Sequence, residues 1–265
     1  MKREIGSGPP VTALENIHLS FGGLRALQDV SVAVQPRERL AIIGPNGAGK
    51  SSLFNIISGI YTASSGVVRH KGEERPPRMK PYAVARLGIA RTFQNIALFP
   101  GMSALDNIMT GRNSLMRRGI LSEALQLGWA RRQEIEHRRR AEEIIDFLEI
   151  PSVRRTPVGA LPYGMQKRVE LGRALAAEPE LLLLDEPMAG MNLEEKEDMC
   201  RFILDVNEIH GTTLILVEHD MGVVMDISDR VAVFDYGRKI ADAAPDDVRR
   251  DQTVIDAYLG TAHEH

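Results

Sequence analysis

Residues 44–51 read GPNGAGKS, an instance of G-x-x-x-x-G-K-[ST], and no other stretch constrains the fold as strongly. The octet follows the apolar run LAII and leads into a segment with Leu53, Ile56 and Ile57 spaced for one helix face. A strand, a glycine-rich turn and a helix are therefore expected in direct succession. Gly44, Gly47 and Gly49 permit a tight turn that carries Pro45 and Ala48, and the amides of Asn46 through Lys50 can then converge on one point. The helix N-terminus adds partial positive charge there. Phosphate oxygens are the ligand such a cradle suits. Lys50 is placed for β- and γ-phosphates, Ser51 for Mg²⁺ and Ser52 for the α-phosphate. A turn serving structure alone would have no use for the lysine.

The rest of the composition narrows the class. With 265 residues, 43% of them hydrophobic, the chain can build one large domain or two small ones. Lys and Arg total 33 against 36 Asp and Glu, a net charge of −3, so bulk basicity gives no argument for nucleic acid. The single cysteine, Cys200, excludes an internal disulfide and fits a reducing compartment. It sits in KEDMCRF with no second Cys or His beside it, which favours a structural role. No apolar run approaches the roughly 20 residues of a membrane-spanning helix. MKREIGSGPP lacks the apolar stretch of a signal peptide and reads as a short tail over residues 1–10. A soluble or peripheral cytoplasmic protein is expected.

Patterning gives the organisation. TALENIHLSFGG and ALQDVSVAV alternate with period two, as half-buried antiparallel strands do, whereas ELLLLDEP and TTLILVEHD are continuous apolar runs, as strands buried on both faces are. Roughly residues 102–176 read as helical, including the arginine-rich RRQEIEHRRRAEEIIDFLEI with Ile144, Ile145 and Leu148 on one side. Its arginines serve either a docking surface or, more commonly, a solvated face supported by i,i+4 pairs such as Glu136/Arg140. KGEERPPRMKP is expected to be a surface loop. The expected fold is α/β with a largely parallel sheet, interrupted by a helical insert.

Ligands of such sheets bind beyond the carboxyl ends of the strands, where two further polar clusters fall. In LLLLDEP, Asp185 is placed to hold Mg²⁺ and Glu186 to polarise a water attacking the γ-phosphate. In LILVEHD, His219 can contact the γ-phosphate, with Glu218 and Asp220 as competitors for the same role.

Taken in order, GPNGAGKS, Gln94 in RTFQN, LPYGM, LLLLDE and His219 resemble the phosphate loop, Q-loop, signature, Walker B strand and switch histidine of the nucleotide-binding subunit of an ABC transporter. The resemblance runs from about Val11 onward. It implies a P-loop NTPase of the RecA-like type, with an N-terminal antiparallel β-subdomain and an α-helical subdomain. The core would span about 11–100 and 177–265 and the helical part about 101–176. It also implies that Phe21 stacks on adenine, that Gln94 joins Ser51 and Asp185 around Mg²⁺, and that Tyr163, Gly164 and Met165 face the γ-phosphate of ATP held by the opposite subunit. ATP and Mg²⁺ are thus the implied ligands, bound between two cassettes.

Departures from the family pattern are specific. Pro162 stands at the usual serine and offers neither hydroxyl nor backbone donor; Tyr163 replaces a glycine, Met165 a glutamine, and Asn192 an aspartate. With FGGLRAL near the start and VIDAYLG near the end, they resemble the ATPase of branched-chain amino-acid-type importers. That resemblance implies separate transmembrane permease subunits, a second ATPase subunit (identical or paralogous), an indirectly linked substrate-binding protein, and a place at the cytoplasmic face of the membrane. Competing expectations are a soluble ABC ATPase acting on nucleic acid or ribosomes, and a small-molecule kinase. The first lacks a basic stripe, and the second leaves Gln94, LPYGM and His219 without a role.

Overall fold

The structure, a computed structural model, describes residue 6 and residues 8–115 and 127–260. Most of the expected N-terminal tail and residues 116–126 of the expected helical stretch lie outside the described residues. In chain order, β1 (Thr12–Phe21), β2 (Leu24–Val34) and β3 (Arg39–Ile43) lead to α1 (Lys50–Ile57). Next come β4 (Ser65–His70), β5 (Glu73–Glu74), α2 (Pro81–Arg86) and β6 (Ile89–Arg91). The helices α3 (Ala104–Gly111), α4 (Leu127–Phe147) and α5 (Tyr163–Leu175) follow. Then β7 (Leu181–Asp185), α6 (Leu193–His210), β8 (Thr213–Val217) and α7 (Met221–Ile227) alternate. β9 (Arg230–Asp235), β10 (Arg238–Ala243), α8 (Pro245–Val248) and α9 (Gln252–Gly260) end the described chain.

The alternating N-terminal strands form a four-stranded antiparallel sheet in the order β2-β1-β4-β5. The continuous apolar runs form a second sheet, β10-β9-β3-β8-β7-β6, parallel except for β10. Period-two geometry explains why β7 and β8 look uniformly apolar. Leu181, Leu183, Ile215 and Val217 face α1 and the antiparallel sheet. Leu182, Leu184, Leu214 and Leu216 face a core built with α3, α4, α5 and α6. A third, smaller core joins Ala41, Ile43, Val231 and Val233 to Val224, Val248 and Val254 on the last three helices.

The helices α3 to α5 fall within the stretch expected to be helical, and they share one continuous core with β7, β8 and α6. α1 and α5 lie on opposite faces of the parallel sheet. Among the described residues, no helix is long and apolar enough to cross a membrane. Cys200 is partly buried with its sulfur 3.6 Å from that of Met188, and burial, then nearby carboxylates, push its thiol up to about 11. An unreactive, structural cysteine is the consequence.

The segment read as a surface loop holds one buried residue that patterning did not reveal. Arg75 is 7% exposed and donates to the carbonyls of Ile56 and Ile57, each at 2.5 Å. It thereby satisfies the last turn of α1 with a cation at the negative end of the helix. Replacing Arg75 with alanine removes this donor from the Ile57 carbonyl, while the Ile56 carbonyl keeps the N–H of Gly59, so Arg75→Ala should lower unfolding free energy by about 1–3 kcal/mol in urea titration.

Candidate functional site

The turn between β3 and α1 is held by its neighbours. Gly44 has φ 147°, and a Cβ there would lie 2.1 Å from the Phe234 carbonyl of β9, so no other residue fits without displacing that strand. Gly47, at φ 80°, has open space where a Cβ would stand, so its requirement is conformational rather than steric. The Ala48 N–H donates to Pro45 (3.2 Å), and the Ala48 carbonyl accepts from Gly237 in the β9–β10 turn (3.1 Å). Asn46 and Gly47 are exposed at the mouth, Ser51 is exposed and Ser52 half-buried. Lys50 is 7% exposed, and its Nζ donates back to the carbonyls of Gly44 (2.6 Å) and Pro45 (2.9 Å). Burial lowers its pKa, while the carboxylates of Glu186 and Asp185 act in the opposite sense.

Asp185 ends β7 and is paired in a way the sequence reading missed. Arg91 on β6 donates to Asp185 Oδ2 at 2.6 Å, both side chains being less than one-tenth exposed. The same guanidinium donates to Asn55 Oδ1 (2.7 Å) and lies 5.4 Å and 5.2 Å from the ring centroids of Phe54 and Phe93. Arg91 thus ties β6, α1 and β7 together at one point. The signal was its position just before the Q-loop glutamine.

The residue after Asp185 is where three strand ends meet. Gln94 Nε2 donates to Glu186 Oε2 at 2.9 Å, and His219 Nε2 lies 2.9 Å from Glu186 Oε1. Glu186 itself has φ 49°, a left-handed conformation unusual for glutamate, and its N–H donates to Val217 at the end of β8. The rivals of His219 are engaged elsewhere. Glu218 accepts from the N–H groups of Met188 and His219, and burial raises its pKa. Asp220 caps α7 at Val223 N and pairs with Lys196 at 2.8 Å. Ser51, Asp185 and Gln94 offer hydroxyl, carboxylate and amide oxygens, the hard donors that suit Mg²⁺. Among the described residues no group of three or more His, Cys, Asp or Glu could hold a metal ion alone. An ion here would draw its remaining ligands from phosphate and water.

LPYGM begins α5, with Pro162 as N-cap, no side-chain cap and no acid in the first turn. Tyr163 is 43% exposed, Gly164 is buried, and Met165 packs against the helical core. A Cβ on Gly164 would lie 2.2 Å from Glu195 Oε1, a close approach not foreseen from sequence. Glu195 is held there by a capping box with Asn192, its Oε2 accepting from Asn192 N while Asn192 Oδ1 accepts from Glu195 N. The asparagine departure therefore caps α6. Phe21 is 45% exposed, with its ring at a steep angle to that of Tyr61 (5.1 Å between centroids), so it is not a core residue.

Comparison with known proteins identifies the family. The ABC transporter family matches residues 27–189, and a second family, branched-chain amino acid ATP-binding cassette transporters, matches residues 238–264. BraF of Pseudomonas aeruginosa, a high-affinity branched-chain amino acid transport ATP-binding protein, is 35% identical over 253 residues, 96% of this chain and 99% of BraF. LivG of Escherichia coli, which carries the same description, is 34% identical over the same shares of the two chains. A solved ATP-binding cassette of an ABC transporter in its ADP conformation superposes with a TM-score of 0.81 at 30% identity, covering 95% of this chain and 99% of that one. The fold is thus the ABC ATPase form of the P-loop NTPases, and the matches favour transport over the nucleic-acid alternative.

The buried Arg91–Asp185 pair yields a direct test. Arg91→Ala strands a buried carboxylate and should cost about 3 kcal/mol of stability in denaturant unfolding. Arg91→Lys should recover only part, because a point charge cannot serve Asp185 and Asn55 with one planar fork.

Proposed function

This chain belongs to the ABC transporter ATP-binding family, and we propose that it is the ATPase of an importer for branched-chain amino acids. On this reading it works at the cytoplasmic face of the membrane. There it binds separate permease subunits, which receive cargo from a substrate-binding protein. The observation that carries the proposal is the convergence of Gln94, His219 and Glu186. Three elements from distant parts of the chain meet beside the phosphate loop, where the Gln94 amide and the His219 imidazole each lie 2.9 Å from one oxygen of the Glu186 carboxylate.

Each residue then has a task. The loop amides from Asn46 to Lys50 and the start of α1 bind phosphate oxygens. Lys50 leaves the Gly44 and Pro45 carbonyls to reach the β- and γ-phosphates. Ser52 contacts the α-phosphate and Phe21 stacks on adenine. Ser51, Asp185 and Gln94 would hold Mg²⁺, which when bound neutralises charge developing on the phosphates. Glu186 polarises the attacking water once Gln94 and His219 release it, and His219 then turns to the γ-phosphate. Gly164 and its neighbours Tyr163 and Met165 complete the site of a second subunit. The layering supports this, since α5 and α1 cover opposite faces of one sheet. Whether the second subunit is identical or paralogous, closure depends on ATP. The helical core joining α3, α4 and α5 to β7 gives Gln94 a rigid body through which to move the permease.

The test is Glu186→Gln. It should keep ATP binding and lose turnover on the order of 10²-fold or more. Light scattering should show a doubled mass only with ATP and Mg²⁺. Undiminished turnover removes Glu186 from the base role. A monomer with ATP bound points instead to a paralogous partner.

A further inference from the structure

The segment that carries Gln94 belongs to neither sheet. Residues 93–98 have no helix or strand, and Phe93, Gln94, Asn95 and Ala97 are exposed. Among the described residues, no backbone–backbone hydrogen bond holds this segment. Its main chain is bonded instead by side chains of α5. Glu170 Oε1 accepts from the N–H of Phe93 (3.3 Å) and of Ala97 (3.4 Å). Lys167 Nζ donates to the Gln94 carbonyl (3.1 Å), and Arg173 donates to the Ala97 carbonyl. Three side chains spaced three residues apart lie on one helix face, and that face grips the loop.

Two of them are charges placed where charge is rarely found. Lys167 is 3% exposed and Glu170 1%, with the ammonium 3.6 Å from the carboxylate. Such burial is costly unless the pair completes its hydrogen bonds, and here the loop supplies them. The Lys167 ammonium also lies 5.8 Å from the ring centroid of Tyr163, the residue before Gly164. One cation thus faces both the Gln94 peptide and the first turn of α5. We propose that Lys167 and Glu170 are positioning residues that fasten the Gln94 loop to α5, so that Gln94 and the helix start at Gly164 move as one body. The proposal rests on the reading in which Gln94 serves the nucleotide of its own chain and Gly164 that of the partner. It joins the two: closure on one nucleotide repositions the glutamine at the other, though neither nucleotide touches the buried pair.

The test uses the full-length double variant Lys167→Met/Glu170→Met, which replaces the pair with apolar side chains of similar length and strands no charge. Its Tm should stay within about 4 °C of wild type. Amide hydrogen exchange across residues 93–97 should speed on the order of ten-fold, because those amides turn to water. KM for ATP should stay within about two-fold while kcat falls on the order of ten-fold. Lys167→Met/Glu170→Gln keeps an acceptor for both amides, so its exchange rate and kcat should fall between those of the first variant and wild type. Wild-type exchange across 93–97 in the first variant overturns the proposal, and so does an unchanged kcat, which would leave the pair a purely structural one. Glu186→Gln, assayed in parallel, separates the two levels. If it keeps full turnover, the catalytic reading fails and the role of the pair falls with it. If it loses turnover while the double variants keep theirs, only the role of Lys167 and Glu170 fails.

Discussion

The two hydrogen bonds to Glu186, one from Gln94 and one from His219, depend on nearly everything else in the molecule. Gln94 follows β6, Glu186 follows β7 and His219 follows β8, and in the sheet order these strands are neighbours. Parallel strands present their carboxyl ends on one edge, so residues almost a hundred positions apart arrive at the same place. The register is fixed by apolar alternation: slipping β7 by one residue would exchange Leu182 and Leu184 with Leu181 and Leu183 and turn Asp185 into a core. The left-handed backbone at Glu186 is the local consequence, tolerated because Val217 takes its N–H.

Charge at this edge is arranged in parts that neutralise one another before any ligand arrives. Lys50 is satisfied by loop carbonyls, Asp185 by Arg91, and Glu186 by Gln94 and His219. A buried group without such a partner would be costly. On the proposed reading a nucleotide with its cation replaces several of these contacts at once, which makes binding a rearrangement of hydrogen bonds rather than an addition to an empty cleft. The two cations differ in kind. Lys50 touches only backbone and can leave, whereas Arg91 is braced by Asn55 and two aromatic rings and stays.

What sequence revealed and what it concealed divide along physical lines. GPNGAGKS, LLLLDE and LILVEH were legible because local patterning reports a strand buried on both faces and a turn that demands glycine. Gln94 became a candidate only through ordered resemblance, since a lone glutamine carries little signal, whereas His219 was marked by its place at a strand end and left with two competitors. Arg75 and Glu195 were not legible at all, and Arg91 had no signal beyond its place three residues before Gln94. Each acts through a contact with a distant segment: Arg75 with the end of α1, Arg91 with β7, Glu195 with the start of α5. Charged or polar residues in charged stretches look like solvated surface until the chain is folded. The departures in LPYGM and at Asn192 divide the same way, for the asparagine proves to be a helix cap.

On the proposed reading each nucleotide site is divided between two chains, with Lys50 on one and Gly164 on the other. The crystal structure of Glu186→Gln with ATP and Mg²⁺ tests it most directly. Two nucleotides should lie at a dimer interface, each γ-phosphate within hydrogen-bond distance of Lys50 from one subunit and of the backbone at Gly164 from its partner. A γ-phosphate enclosed by a single chain, with α5 of the partner far from it, would contradict the claim.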